Sequence, residues 1–216
     1  MIKCTGNELI SVKGEIAMVI TISREYGAGG HSIGKGVAKA LGVEFYDRDI
    51  IKAAAAESGA DLPEIERVEE ELTRAGSFLR MISPYAYRDQ SDNIHAIEHS
   101  IILSMAGKGD CVILGRCADD ILEKAGIPSL NVFLYASDIH RAVRVSELIG
   151  STNPNEIQKK MQRTDTARRA FYEHFTGKRW GDSRNYTLSL DTGVLGYDAC
   201  VRLISEAARS AAAFQE

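Results

Sequence analysis

The chain has 216 residues, 44% of them hydrophobic, with 26 Lys or Arg against 30 Asp or Glu and a formal net charge of −4. That length suits one domain with an added lobe, and the apolar fraction suffices for a core. The charge excludes the basic excess of a nucleic-acid or membrane-surface binder, and with no apolar run of about eighteen residues no membrane span is expected.

Residues 1–17 lack the apolar core of a secretory signal and read as an N-terminal arm or an extended start. The first buried strand is expected over Ala17–Ile22. It runs into the glycine-rich turn Gly27-Ala28-Gly29-Gly30 and then a helical pattern, Ile33, Val37, Ala38, Leu41. Strand, glycine turn and helix together make a phosphate cradle, because backbone N–H groups converge there and a helix N-terminus favours an anion.

Two registers compete for this loop. Gly29 through Lys35 matches G-x-x-x-x-G-K literally, but the next residue is Gly36 where Ser or Thr belongs. The helix would then run barely two turns before Gly42. In the preferred register the helix starts near His31 and ends at Leu41, with Gly42 as its C-terminal stop. Ser32 then falls where a magnesium-binding hydroxyl belongs, and Gly30 falls where the phosphate-binding lysine belongs. Arg24 or His31 could supply the missing charge.

Further strands are expected over Glu44–Tyr46, Cys111–Leu114, Leu130–Tyr135 and Tyr186–Leu190. Short continuous apolar runs spaced by helical patterns suit a parallel sheet covered on both faces, an α/β fold. Between them, helices are expected over Ile50–Glu57, Pro63–Thr73 and Asn93–Ala106, which make residues 49–109 a helical insert. Asp138–Leu148 follows. Asn153-Pro154-Asn155-Glu156 then starts a helix to about His174, by cap, proline and acid. A helix over Tyr197–Phe214 closes the chain.

Three constellations could carry chemistry. Asp47, at a strand end where ligands of open parallel sheets bind, either orients a substrate or caps the next helix. Arg116, after Gly115 at another strand end, suits a fork onto phosphate or carboxylate, or else pairs with Asp119 or Asp120. The arginines Arg141, Arg144, Arg163, Arg168 and Arg169, with Asp165 among them, flank Ile149–Pro154 as a mobile lid would; the alternative is a pair of solvated surface helices. His95 and His99 lie at i, i+4 without a third ligand nearby. Cys4, Cys111, Cys117 and Cys200 form no C-x-x-C pair, so reduced thiols in a cytoplasmic protein are expected rather than structural zinc.

These pieces resemble the cytidylate-kinase-like family, a branch of the P-loop nucleoside monophosphate kinases. The resemblance rests on Ser23-Arg24-Glu25-Tyr26-Gly27-Ala28-Gly29-Gly30, Phe45-Tyr46-Asp47, Gly115-Arg116, Arg163-Thr164-Asp165-Thr166-Ala167-Arg168 and the Phe175–Gly181 loop with Asn185-Tyr186. It implies a P-loop fold with a five-stranded parallel sheet, a helical monophosphate-binding insert and an arginine lid over about residues 141–172. It also implies ATP and Mg²⁺ as cosubstrates and CMP or dCMP as acceptor. Gly27, Gly29, Gly30, His31 and Ser32 would hold the donor phosphates and Arg116 the acceptor phosphate. Arg141, Arg163 and Arg168 would close over the transferred group, and Asp165 would fix the lid or the cytosine. The chain departs from the family pattern at Gly30, where the lysine is absent. That leaves a non-catalytic nucleotide-binding module, or a kinase for another small metabolite, as alternatives.

Overall fold

The computed structural model describes residues 18–57 and 84–213. The expected arm over 1–17 and the expected helix over Pro63–Thr73 lie outside the described residues.

Five strands form the expected parallel sheet: β1 (Val19–Arg24), β2 (Glu44–Tyr46), β3 (Cys111–Leu114), β4 (Ser129–Tyr135) and β5 (Leu188–Asp191), in the order β2-β3-β1-β4-β5. β1 is central. It pairs with β3 through Ile22 opposite Leu114 and with β4 through Arg24 opposite Leu134. Parallel pairing requires a crossover between neighbours, so helices cover both faces and the strands read as continuous apolar runs.

The helices are α1 (Gly30–Leu41), α2 (Arg48–Glu57), α3 (Pro84–Ala106), α4 (Ala118–Lys124), α5 (Asp138–Ile149), α6 (Pro154–Thr176), α7 (Thr192–Leu195) and α8 (Tyr197–Ala213). Side chains alternate between the faces of a strand, and β1 divides the core accordingly. Ile20 and Ile22 join Ile33 and Val37 of α1 and Cys200 and Ile204 of α8 on one face. Val19 joins Ile51, Ile102, Ile113, Ile121 and Leu122 on the other.

The loop register is decided by α1. It begins at Gly30, and Gly42 terminates it in the left-handed conformation (φ 73°), donating its N–H to Ala38 O. Ile33 and Val37 share the buried face and Lys35 is exposed, so the literal G-x-x-x-x-G-K reading fails. α3 starts at Pro84 rather than near Asn93, because a proline suits the first helical position. α4 and α7 are short and had no periodic signal long enough to announce them. β5 begins at Leu188 rather than Tyr186, because Ser183–Asn185 forms a 3₁₀ turn that delays the strand.

Two outcomes follow from the packing. Ile204→Ala, fully buried on α8, should lower unfolding free energy by about 2–5 kcal/mol in urea titration without changing nucleotide affinity. Lys35→Ala should leave both quantities unchanged, which calorimetric titration with ATP checks.

Candidate active site

The turn after β1 is built from glycines that cannot be exchanged. Gly27 and Gly29 hold φ of 87° and 78°, a region that costs residues with a Cβ. A Cβ on Gly27 would also lie 2.8 Å from Arg141 O. Gly29 caps α1 with no side-chain bond, so the first N–H groups of that helix are available to an anion. His31 is exposed in the first turn, its Nδ1 3.3 Å from Asp47 Oδ2. Ser32, next to it, is exposed as well.

Asp47 takes the capping role. Its Oδ1 accepts the N–H groups of Asp49 and Ile50, each at 3.1 Å, capping α2, while Oδ2 faces His31.

Beside the turn lies a cavity of about 680 Å³. Arg24, Arg48, Arg116, Lys160, Arg163 and Arg168 line it, and no carboxylate among the described residues does. Tyr26, Phe171, Tyr172 and Trp180 supply aromatic wall. Three of the cations come from α6, where positions 160, 163, 164, 167, 168 and 171 form one face at helical spacing.

Arg116 is held by neither Asp119 nor Asp120. It pairs with Glu98 of α3, a carboxylate with no exposure, and its guanidinium stacks 4.7 Å above the Phe171 ring. Asp119 instead accepts from Tyr172 Oη at 2.7 Å, and Asp120 pairs with Lys124 and Lys178. Arg116 has φ 61°, unusual for a residue with a side chain.

The arginine set divides. Arg163 and Arg168 face the cavity, and Arg168 Nη1 donates to Arg24 O at 3.0 Å. Arg141 lies elsewhere. Its guanidinium meets Asp165 at 2.5 Å, Asp138 at 2.6 Å, Glu25 at 3.4 Å and the Tyr26 carbonyl at 3.3 Å. Asp165 in turn accepts the Tyr26 N–H at 2.7 Å, so it fixes α6 to the turn. Arg144 pairs with Glu147 on the surface, and Arg169 sits over Trp180.

The model of the cytidylate kinase-like family matches residues 19–194. The chain belongs to that family. No curated protein matches it. Among solved structures, a protein of unassigned function from Eubacterium ventriosum is 22% identical, with TM-score 0.67, over 89% of this chain and 99% of its own. A gluconokinase from Sinorhizobium meliloti is 17% identical (TM-score 0.54; 94% and 99% covered). A shikimate kinase from Bacteroides thetaiotaomicron is also 17% identical (TM-score 0.52; 88% and 97% covered). At these identities the likeness is one of fold, and the sheet order 2-3-1-4-5 is that of P-loop kinases.

Electrostatics at the cytidylate kinase-like site follow from crowding. Burial, then the charges of Arg168, Arg48 and Arg116, push Arg24 well below the usual arginine range. Burial brings Arg116 to about 9 and Arg168 to about 10. Arg141 goes the other way: although burial opposes it, the hydrogen bonds it donates to Asp138 and Asp165 hold it above its ordinary value. Burial raises the Cys117 thiol, which is 3% exposed, so it stays protonated and is no nucleophile. No group of His, Cys, Asp or Glu among the described residues suits a metal ion by itself.

Arg48, Lys160 and Phe171 belong to the cavity without a motif of their own. The α6 periodicity is the signal for Lys160 and Phe171. Arg48 has none, since the chain carries it to the cavity by the tertiary path of β2.

His95 offers a pH test. Its ring stacks on Phe175 at 3.9 Å, and burial, then the Arg116 charge, lowers it from 6.5 to about 4. The unfolded chain therefore takes up the proton first. The contribution is fully present above pH 6.5 and is lost as pH falls toward 4. His95→Phe should remove a stability loss on the order of 1 kcal/mol between pH 7 and 5.5, read from urea midpoints at the two pH values.

Proposed function

We propose that the protein transfers the γ-phosphoryl group of ATP to a nucleoside monophosphate, with CMP or dCMP as the leading acceptors. The observation that carries this reading is the cavity beside the glycine turn, lined by six cationic side chains and no carboxylate among the described residues. Such a wall favours anions, and phosphoryl transfer brings several at once. Family membership supports phosphoryl chemistry.

On this reading Gly27, Gly29, Gly30 and His31 hold the donor phosphates at the α1 N-terminus. Ser32 is the hydroxyl available to Mg²⁺. Magnesium keeps waters and takes its other oxygens from substrate phosphates, so a site with few protein ligands fits it. When bound, the ion neutralises charge on the β- and γ-oxygens. The segment of about residues 49–109 forms the acceptor side, where Arg116 receives the acceptor phosphate. Residues 141–172 act as the lid. Arg163 and Arg168 meet the transferred group, whereas Arg141 holds the lid through Asp165. An acceptor phosphate oxygen forms the new bond to the γ-phosphorus as the bond to the β,γ-bridging oxygen breaks, giving two diphosphates. Positioning and charge neutralisation carry the rate, without a covalent enzyme intermediate.

Turnover should be measured with ATP and Mg²⁺ across a panel of nucleoside monophosphates, with an acceptor-free control. The expected result is transfer with CMP or dCMP ahead of the rest. Arg163 is exposed and has no ion-pair partner among the described residues, so Arg163→Ala should lower kcat about a thousandfold with the fold intact. ATP binding without transfer to any acceptor would overturn the reading and leave a nucleotide-binding module.

A further inference from the structure

Gly30 stands where a phosphate-binding loop carries its lysine, and the space a side chain there would need is already filled. A Cβ on Gly30 would lie 2.7 Å from Arg24 Cγ and 3.2 Å from both its Cβ and Cδ, closer than such atoms normally approach. At the other end of the same side chain, a Cβ on Gly115 would overlap Arg24 Nη1. Two glycines from separate segments thus border one extended arginine. Its stem lies along the start of α1, and its guanidinium lies beside the edge from which Arg116 projects. No carboxylate forms an ion pair with Arg24 among the described residues; its charged neighbours are Arg168, Arg48 and Arg116, with Asp47 as the opposing charge.

We propose that Arg24 is a catalytic residue that replaces the absent lysine from the end of β1, its guanidinium bridging the donor γ-phosphate and the acceptor phosphate. This rests on the phosphoryl-transfer reading above. A lysine ammonium is a point charge on a flexible stem, whereas a guanidinium presents donors in a planar fork. The fork can engage oxygens of two groups at once, which suits a position between the α1 N-terminus and Arg116. The burial and cationic crowding that depress Arg24 are relieved by the same anions.

The exchange is testable in both directions. Arg24→Ala, Arg24→Gln, Gly30→Lys and the double variant R24A/G30K would be assayed for kcat with ATP and CMP and for affinity toward ATP and ADP. Circular dichroism melts would confirm folding; Arg24→Gln keeps part of the stem and guards against a packing defect. Arg24→Ala and Arg24→Gln should each lower kcat at least a hundredfold and abolish any preference for ATP over ADP. Gly30→Lys alone should also lose activity, because its side chain meets the Arg24 stem. R24A/G30K should recover at least tenfold over Arg24→Ala, since a lysine then has both the position and the room. Folded Arg24 variants within threefold of the parent, or a folded double variant no better than Arg24→Ala, would overturn the assignment. If the parent transfers to no acceptor, the reaction reading fails separately, and the ATP-over-ADP preference of the variants decides for or against Arg24.

Discussion

The carboxylate of Asp165 is the joint on which the carboxyl end of this sheet depends. One oxygen accepts the Tyr26 N–H of the turn and the other the Arg141 guanidinium, so a single side chain ties the glycine turn, α5 and α6 together. Arg141 has further carboxylates in Asp138 and Glu25, and burial raises Glu25 above the usual carboxylate range despite that cation. Breaking a partly buried pair of this kind leaves an uncompensated charge behind, which is why such joints are costly to dismantle. The orientation of α6 follows from it. With Asp165 turned to the loop, the neighbouring face bearing Lys160, Arg163 and Arg168 is presented to the cavity.

That orientation concentrates positive charge. Arg24 and Arg168 are both held below their ordinary range by burial and by other guanidinium groups. Arg116 is lowered too, by burial and then the Arg48 charge, but it has a buried carboxylate partner in Glu98 and lies over the Phe171 ring. The wall therefore holds one buried ion pair at Arg116, a distant one between Arg168 and Asp165, and in Arg24 and Arg163 two cations without an ion pair among the described residues. Uncompensated cations in a partly dry cavity carry a desolvation cost in the empty protein that a bound anion offsets.

Much of this was legible in the chain. The strands announced themselves as short apolar runs, and Gly42 together with the Ile33 and Val37 spacing settled the helix register against a literal motif match. Asn153 and Pro154 marked the start of α6, where Asn153 Oδ1 accepts from Asn155 N at 3.0 Å. What stayed hidden was partnership across the fold. Glu98 and Arg116 meet because α3 packs beneath β3, and nothing local at either residue signals the other. Arg141 reads like its neighbours Arg163 and Arg168 by residue type alone. Only the tertiary arrangement shows that it is committed to three carboxylates, while Arg168 has one distant contact with Asp165 at 4.0 Å and Arg163 has no ion pair among the described residues. Side-chain identity locates charge well; it does not say which charges are already spoken for.

The interlock of Gly30, Arg24 and Gly115 also constrains how this chain can change by descent. A mutation that places lysine at position 30 meets an occupied volume, and one that shortens Arg24 first removes the side chain nearest to that space. Either single step passes through an intermediate with a collision or with a void where a cation belongs. A lysine at 30 thus needs two changes in concert, while Gly115 stays constrained by its own φ of 79° whatever stands at 24. In lineages built on this geometry, the arginine and its two glycines should be inherited as one character.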